Sequence, residues 1–487
     1  SAASDVYKRQ MMSNPTIDCW SEIIFESQRK TKKEIDKPNI DSSKPFELTD
    51  VQYAYWIGRN RNEPLGGIGC HGYLEIDTGL LDLDKLDKAW KRLFELHPML
   101  KARFTEEGLQ QILDEPYYKN VLVHDYRNQL DIQKLINNLR TKFSHRMMQI
   151  DKGEVVCLQY VIIDNYKAKL IFDIDLLVCD VHSFKIILND LACAYLDINS
   201  DQLHKEYWHF SEYLAYQTKQ KEQIEKEAKQ YWEKEIDEIP EPPKLPYLKE
   251  FNCVSSPTFK RRSMSLNQNQ LEKLKELSKK ADVTLSMIML TLYARTIAKW
   301  SQNKSFILNI PVFDRDPNID IKNNVADFTN ILLLDIDMRY STTLTEDAKR
   351  IQKQFHRRMK YIDYSGIKVI RDLQKQRGKQ FLSPIVFSSN LGEDLLNDTF
   401  IKTFGDISYM ISQTPQACLD FQLFNKSEGL YIVWDSIDEL FPQGLLDDMF
   451  LYFEQEINYC LNNEFIKSDN HYTLGMERRQ NKIKEFI

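Results

Sequence analysis

The sequence predicts an α/β protein of two lobes. Its 487 residues exceed what one compact core usually holds, at roughly 100–200 residues per domain. Helix-period and strand-period segments alternate through both halves of the chain, the pattern of an α/β fold. Near the middle lies Ile239-Pro-Glu-Pro-Pro-Lys-Leu-Pro246. Proline fixes φ and lacks an N–H, so this cluster is neither helix nor central strand and reads as an extended connector between the halves.

Taken in order, residues 1–45 read as a leader or linker; the first residue is not Met, and residues 1–10 read as a translated sequencing-adapter scar, with Met11 or Met12 as the expected start. The first lobe is expected over 46–238, the connector over 239–254 and the second lobe over 255–480, with 481–487 opening a linker to a following domain. Asp82–Phe104 carries helical spacing at Leu83, Leu86, Trp90, Leu93 and Leu100, with Asp82 or Asp84 as N-cap. Val155–Ile163 and Lys169–Asp175 alternate and are β-rich; Phe184–Tyr195 reads as helix. Lys219–Ile236 is a charged amphipathic helix running into the prolines. Beyond them, helices are expected at Gln268–Lys280, Leu285–Ser301 and Thr345–Met359. Strands are expected at Phe306–Val312, Ile331–Met338, Pro384–Ser389 and Cys418–Phe424, the last turning through Ser427-Glu428-Gly429 into Leu430–Trp434 as a hairpin.

Composition narrows the function classes. A formal net charge of -7 argues against a general nucleic-acid binder, which needs basic faces to neutralise phosphates. No apolar run reaches the roughly 20 residues of a membrane helix; Thr284–Ala294 reads as a buried helix instead. With no secretory signal, the expected compartment is the cytoplasm. The 8 Cys and 9 His form no CxxC, no HExxH and no mixed cluster, so no metal site is expected and most cysteines should be buried free thiols.

Three segments carry reactive groups. Asp175-Leu-Leu-Val-Cys-Asp180-Val-His-Ser183 sets two carboxylates and a hydroxyl between a strand and a helix, where scaffolds often present chemistry. The same pattern also fits solvated acids followed by a Ser cap. Ser412-Gln-Thr-Pro-Gln-Ala-Cys-Leu-Asp420 leads a carboxylate onto a strand expected to be half buried. Low dielectric there would raise its pKa toward that of a proton carrier near neutrality, whereas an edge strand would leave it facing water. Pro384-Ile-Val-Phe-Ser-Ser389 ends a strand in two hydroxyls, which alone is ordinary turn chemistry.

In this order the segments resemble the heterocyclization branch of the condensation-domain family of nonribosomal peptide synthetases. Leu48-Thr-Asp-Val-Gln-Tyr-Ala-Tyr-Trp-Ile-Gly-Arg59 is similar to its opening LTxxQxAYxxGR motif, and Leu96–Phe104 with Glu107–Gln110 loosely to the next. Asp175, Asp180 and Ser183 fit DxxxxDxxS, which replaces the HHxxxDG of ordinary condensation domains. The prolines fit LPxxPxLP, Val283–Trp300 a helix ending LxxW, Ala326–Thr329 GDFT, and Pro384–Ser389 PVVFTS. Thr414-Pro-Gln416 leads to Asp420, and Trp434-Asp435 follows at the family's spacing of about 13 residues.

The resemblance implies two lobes, each similar to chloramphenicol acetyltransferase, forming a V-shaped pseudo-dimer around a central tunnel. It implies condensation of a carrier-bound acyl or peptidyl thioester with carrier-bound Cys, Ser or Thr, and cyclodehydration to a thiazoline or oxazoline in secondary metabolism of the siderophore kind. The partners implied are upstream donor and downstream acceptor carrier proteins and a downstream adenylation domain, with no nucleic acid and no membrane. No cofactor is bound directly; both substrates arrive on phosphopantetheine, and the sequence has no GxxxxGK[ST] loop. Asp420, helped by Ser388, is the implied catalytic pair. Ser389, Thr414 and Gln416 are motif residues around it. Asp180 is the implied structural carboxylate, with Lys101 or Arg103 as partner. Ser183 is a candidate cap, and Asp175 is open between structure and chemistry. Ser388 stands where the family has Thr, Ala326 for Gly, Ala417 for Val and Leu96 for a basic residue. A domain that condenses without cyclizing, or a scaffold that only docks carriers, are the alternatives.

Overall fold

The computed structural model describes residues 37–462 other than Ser255, Pro317, Glu393, Ser427 and Glu428. The expected leader before 37, the first two turn residues of the hairpin and everything expected beyond 462, including the linker opening at 481, lie outside the described residues.

The chain forms two compact α/β units, but not as two continuous halves. One unit holds the described residues up to Lys226 with Phe313–Asn330 and Leu395–Pro415; the other holds Glu227–Val312, Ile331–Asp394 and the residues from Gln416 on. The proline segment is therefore not the boundary the sequence suggested. It lies wholly in the second unit, tied to the junction after the helix Leu285–Trp300. The Lys244 N–H donates to Ser301 Oγ (3.0 Å) and Asn303 Oδ1 (2.8 Å), and Gln302 N–H donates to the Lys244 carbonyl (3.0 Å). Prolines leave carbonyls without a matching N–H, and this junction supplies donors for them: Asn303 Nδ2 donates to the Pro242 carbonyl.

The strands are β1 (Phe46–Glu47), β2 (His71–Thr78), β3 (Ala102–Phe104), β4 (Leu109–Ile112), β5 (Leu122–Asp125), β6 (Val156–Ile162), β7 (Ala168–Asp175), β8 (Lys260–Asn267), β9 (Ser305–Phe313), β10 (Thr329–Asp337), β11 (Ile385–Asn390), β12 (Ile407–Gln413), β13 (Leu419–Lys426) and β14 (Gly429–Ser436). The first unit carries a sheet of order β12-β2-β7-β6-β5 and a small sheet β1-β4-β3; the second sheet has order β10-β9-β11-β13-β14-β8.

In the first unit, Leu74, Ile76, Leu158, Tyr160, Leu170 and Phe172 point from the large sheet into a core shared with Trp90 and Leu93 of the helix Leu83–Leu96 and Ile187 and Leu191 of the helix Val181–Leu196. Asp82 caps the first of these helices by accepting from Lys85 N–H. That helix stops at Leu96, short of the expected Phe104, because Pro98 cannot donate to the helical ladder. The chain then makes a 3-10 turn and enters β3. In the second unit, Phe421 stacks on Phe387 (4.9 Å between centroids) and meets Tyr293 (4.8 Å) and Phe453 (5.4 Å). This aromatic layer covers one face of β11, β13 and β14; the other carries Ser388, Asp420, Gln422 and Asp435 among apolar Val386, Phe424 and Val433. The expected hairpin forms, with β13 and β14 paired down to Lys426 opposite Gly429.

Several elements were not apparent from the sequence. β2 carries buried His71, Tyr73 and Glu75 between its apolar residues, which hides its strand period. β8 is rich in charge, as suits an edge strand. β12 joins the first sheet beside β2, far from it in sequence.

Candidate active site

Asp175 ends β7 and is wholly buried. Arg59 Nη1 donates to its Oδ2 at 2.6 Å, and Leu177 N–H donates to Oδ1 at 3.1 Å. Arg59 follows the helix Asp50–Gly58, so the opening motif and the DxxxxDxxS motif close on one another.

Asp180 is the N-cap of the helix Val181–Leu196, accepting from Ser183 N–H at 2.7 Å. Its basic partner is neither Lys101 nor Arg103. Arg315 holds it with two bonds, Nη1 to Oδ2 at 2.6 Å and Nη2 to Oδ1 at 3.1 Å. Arg103 is opposed to Gln111 in β4 and donates to it, and Lys101 reaches the Asp114 carbonyl. Both cations are thus occupied at the small sheet, while Arg315 arrives on the returning segment 313–330, for which local sequence gives no signal. Burial works to raise the Asp180 pKa, but the Arg315 charge and the Ser183 N–H outweigh it and hold the carboxyl below the usual range.

Ser183 is not the cap. Its Oγ donates to the Ala326 carbonyl (2.8 Å) and accepts from Arg315 Nη2 (2.8 Å) and Ala326 N–H (3.1 Å). The motif therefore clamps the Ala326–Thr329 segment. Asp327 in that segment, to which sequence reasoning gave no role, is buried, and burial pushes its pKa up to about 8, against the opposing Thr329 bond. His182 has its Nε2 3.2 Å from the Lys322 carbonyl.

Asp420 lies on β13, an interior strand between β11 and β14, and is 7 % exposed. The edge-strand alternative is thereby removed. Gln422 Nε2 donates to Asp420 Oδ2 at 2.7 Å, while Oδ1 has no hydrogen-bond partner among the described residues. Burial first, and then the like charge of Asp435, raise its pKa to about 7, against the opposing Gln422 bond and the Arg261 charge. A carboxyl with one oxygen held, one open and a pKa near neutrality can both take and give a proton.

Strand register builds its surroundings. Val386 is opposed to Asp420 and Ser388 to Gln422, so Ser388 shares the Asp420 face one strand away. Asn390 Nδ2 donates to Ser388 Oγ at 3.3 Å. Asn309 of β9 is opposed to Val386 and extends the row; its buried Oδ1 lacks a partner among the described residues. On the other side stand Asp435 and Arg261. Ser389 points to the opposite face, where its Oγ lies 2.7 Å from Ser286 Oγ at the start of the helix Leu285–Trp300. Gln416 takes a left-handed φ of 62°, rare for a side-chain-bearing residue. Thr414 is the last residue but one of the first unit's final segment, which Pro415 closes, and Gln416 opens the second unit's last one. Sequence reasoning missed Gln422, Asn309, Asn390 and Arg261. For Gln422 a signal existed, since Asp420 and Gln422 alternate with apolar Phe421 and Leu423. For the others only pairing reveals the row.

Solved proteins share this α/β fold. The condensation-domain family model matches residues 47–471, and the chain belongs to that family. Among curated proteins it is 33 % identical to pyochelin synthetase PchE of Pseudomonas aeruginosa, over 91 % of this chain and 31 % of that protein. It is 32 % identical to phenyloxazoline synthase MbtB of Mycolicibacterium paratuberculosis, over 92 % of this chain and 39 % of that protein. The chain thus spans about a third of the length of these relatives. Among solved structures, the EpoB cyclization-docking bidomain of a Sorangium cellulosum nonribosomal peptide synthetase superposes with a TM-score of 0.82 at 28 % identity, covering 92 % of this chain and 90 % of that one. Among the described residues no single helix is long and apolar enough to cross a membrane, and no group of His, Cys, Asp or Glu could hold a metal ion.

Proposed function

We propose that this chain is a heterocyclization domain that joins a carrier-bound acyl group to a carrier-bound Cys, Ser or Thr and closes the ring. The observation that carries the reading is Asp420: buried, anchored by Gln422 through one oxygen, unpartnered at the other among the described residues and with its pKa raised to about 7. The likeness to a cyclization domain and to a phenyloxazoline synthase supports it.

Donor and acceptor carrier proteins present their substrates on phosphopantetheine. The acceptor amine attacks the donor thioester carbonyl, the carbon–sulfur bond breaks, and the donor arm leaves as a thiol. This step needs alignment of two tethered ends more than a catalytic group. The side-chain thiol or hydroxyl then adds to the new amide carbonyl while Asp420 takes its proton. The protonated Asp420 returns that proton to the former carbonyl oxygen, giving a hydroxyl. Asp420 then takes the ring N–H proton and delivers it to that hydroxyl, which departs as water as the C=N bond forms. Ser388 contributes a hydroxyl on the same face of the sheet as Asp420. The Asp175, Asp180 and Ser183 network holds loops and does no proton transfer.

The test is reconstitution with loaded donor and acceptor carriers, followed by intact-protein mass spectrometry of the acceptor. Asp420→Asn is expected to condense still, while ring formation falls by about 10²–10⁴-fold, so the linear product accumulates one water heavier than the ring. Ser388→Ala shows a milder form, and Ser388→Thr keeps or improves cyclization by restricting the hydroxyl rotamer. Native protein that forms only the linear amide would make this a condensing domain alone, and no transfer would make it a docking scaffold.

A further inference from the structure

Asp420 has a carboxylate neighbour whose placement the proposed chemistry does not use. Across β13 and β14 it is directly opposed to Asp435, and across β14 and β8 Asp435 is directly opposed to Arg261. Opposed residues of antiparallel strands have Cα atoms about 4.5–5.5 Å apart, so two buried carboxyls stand side by side. The guanidinium engages the outer one: Arg261 Nε donates to Asp435 Oδ1 at 2.8 Å and Nη2 to Oδ2 at 2.5 Å. An ion pair serving packing alone would be equally well placed beside any apolar residue. Here it sets a negative charge one strand from Asp420 and a positive charge two strands away.

We propose that Asp435 and Arg261 are positioning residues that act through Asp420: Asp435 presses it toward the protonated form, and Arg261, by countering Asp435, limits that pressure. The inference rests on the reading of Asp420 as the proton carrier. The other groups around Asp420 leave the field to this pair. Val386 and Ser388 from β11 and Asn309 from β9 do not titrate in the relevant range, and Gln422 is neutral. Tyr293, from the helix on the opposite face, is kept neutral because burial raises its pKa well above the usual value. The arrangement suits a group that must start as a base and finish as an acid, since a carboxyl at its ordinary pKa is a poor proton donor near neutrality.

The test is an infrared titration of the protonated-carboxyl band of the whole chain, assigned to Asp420 by its loss in Asp420→Asn. In the native protein its midpoint is expected near neutral pH. Asp435→Asn should lower the midpoint by about one pH unit, and Arg261→Gln should raise it. Either single variant removes one half of a buried ion pair and can fail to fold, so the double variant Asp435→Asn/Arg261→Gln, an amide pair of similar shape, is measured as well. Because the nearer charge acts more strongly, its midpoint should fall, though less than in Asp435→Asn. Midpoints unmoved in the folded variants would overturn the proposal. Asp420→Asn cyclizing at the native rate would instead overturn the reading of Asp420 as proton carrier, whatever the titration shows.

Discussion

Asp180 and Asp420 are both buried carboxyls, and their partners separate their roles. Asp180 faces a guanidinium and a helix N-terminus, both of which favour the charged form. Asp420 has no such counter-ion among the described residues: burial first, and then the like charge of Asp435, raise its pKa to about 7 against the opposing Gln422 bond. Removing Asp180 leaves Arg315 buried without its counter-ion. Asp180→Ala is therefore expected to cost about 3–5 kcal/mol, read as a lower urea midpoint, with any loss of activity tracking unfolding. Because the folded Asp180 pKa is depressed, its contribution is present above the unfolded value and is lost as pH falls through the folded one. An Asp180→Asn protein with an unchanged midpoint but no amide formation would return Asp180 to the chemistry.

At the scale of elements, the family motifs meet through backbone contacts. A Cβ added at Gly58, the last residue of the opening helix, would fall 2.3 Å from Pro415 Cβ in the segment leading to Gln416. Real Cβ atoms do not approach so closely, so the helix or the segment would have to shift. Gly58→Ala is expected to destabilise by about 1–3 kcal/mol and to lower cyclization, in contrast to the usual gain from replacing Gly by Ala in a helix. Thermal melts of the two proteins check this, and a higher Tm in Gly58→Ala would show that the contact relaxes freely. The glycine and the proline were both visible as motif letters. That they touch was not, because 357 positions separate them (415 minus 58).

Across the whole molecule, raised carboxyl pKa values give stability a pH dependence. Asp420, near 7, and Asp327, near 8, bind protons more tightly folded than unfolded. Their contribution is complete below the unfolded value near 4 and declines as pH rises through the folded values. Stability is therefore expected to fall between about pH 5 and pH 8, with a slope of up to about 1.4 kcal/mol per pH unit for each group still holding its extra proton. Urea unfolding across that range checks it. Asp420→Asn and Asp327→Asn should each flatten the slope, and parallel curves for native and variants would refute the assignment. His97 adds in the same direction. Burial opposes its charging, but Asp190 and Glu206 prevail and raise its pKa, so its contribution is full at low pH and fades above the unfolded value.

Much of this protein was readable from residue order. Period and capping residues placed the helices at Gln268–Lys280 and Leu285–Trp300, the strands β6, β7, β13 and β14, and an N-cap at Asp82 or Asp84, of which the helix takes Asp82, because those signals act over a few neighbouring residues. Motif order pointed to Asp420 and to the family. The pairing of distant segments was not readable. Arg315 reaches Asp180 across 135 positions, β12 pairs with β2 although 336 positions separate their starts (407 minus 71), and the prolines bind within one unit instead of dividing two. Local sequence reports what a segment can become. Which ion meets which carboxylate, and whether Asp420 keeps its proton, depend on burial and strand register, which exist only once the chain has packed.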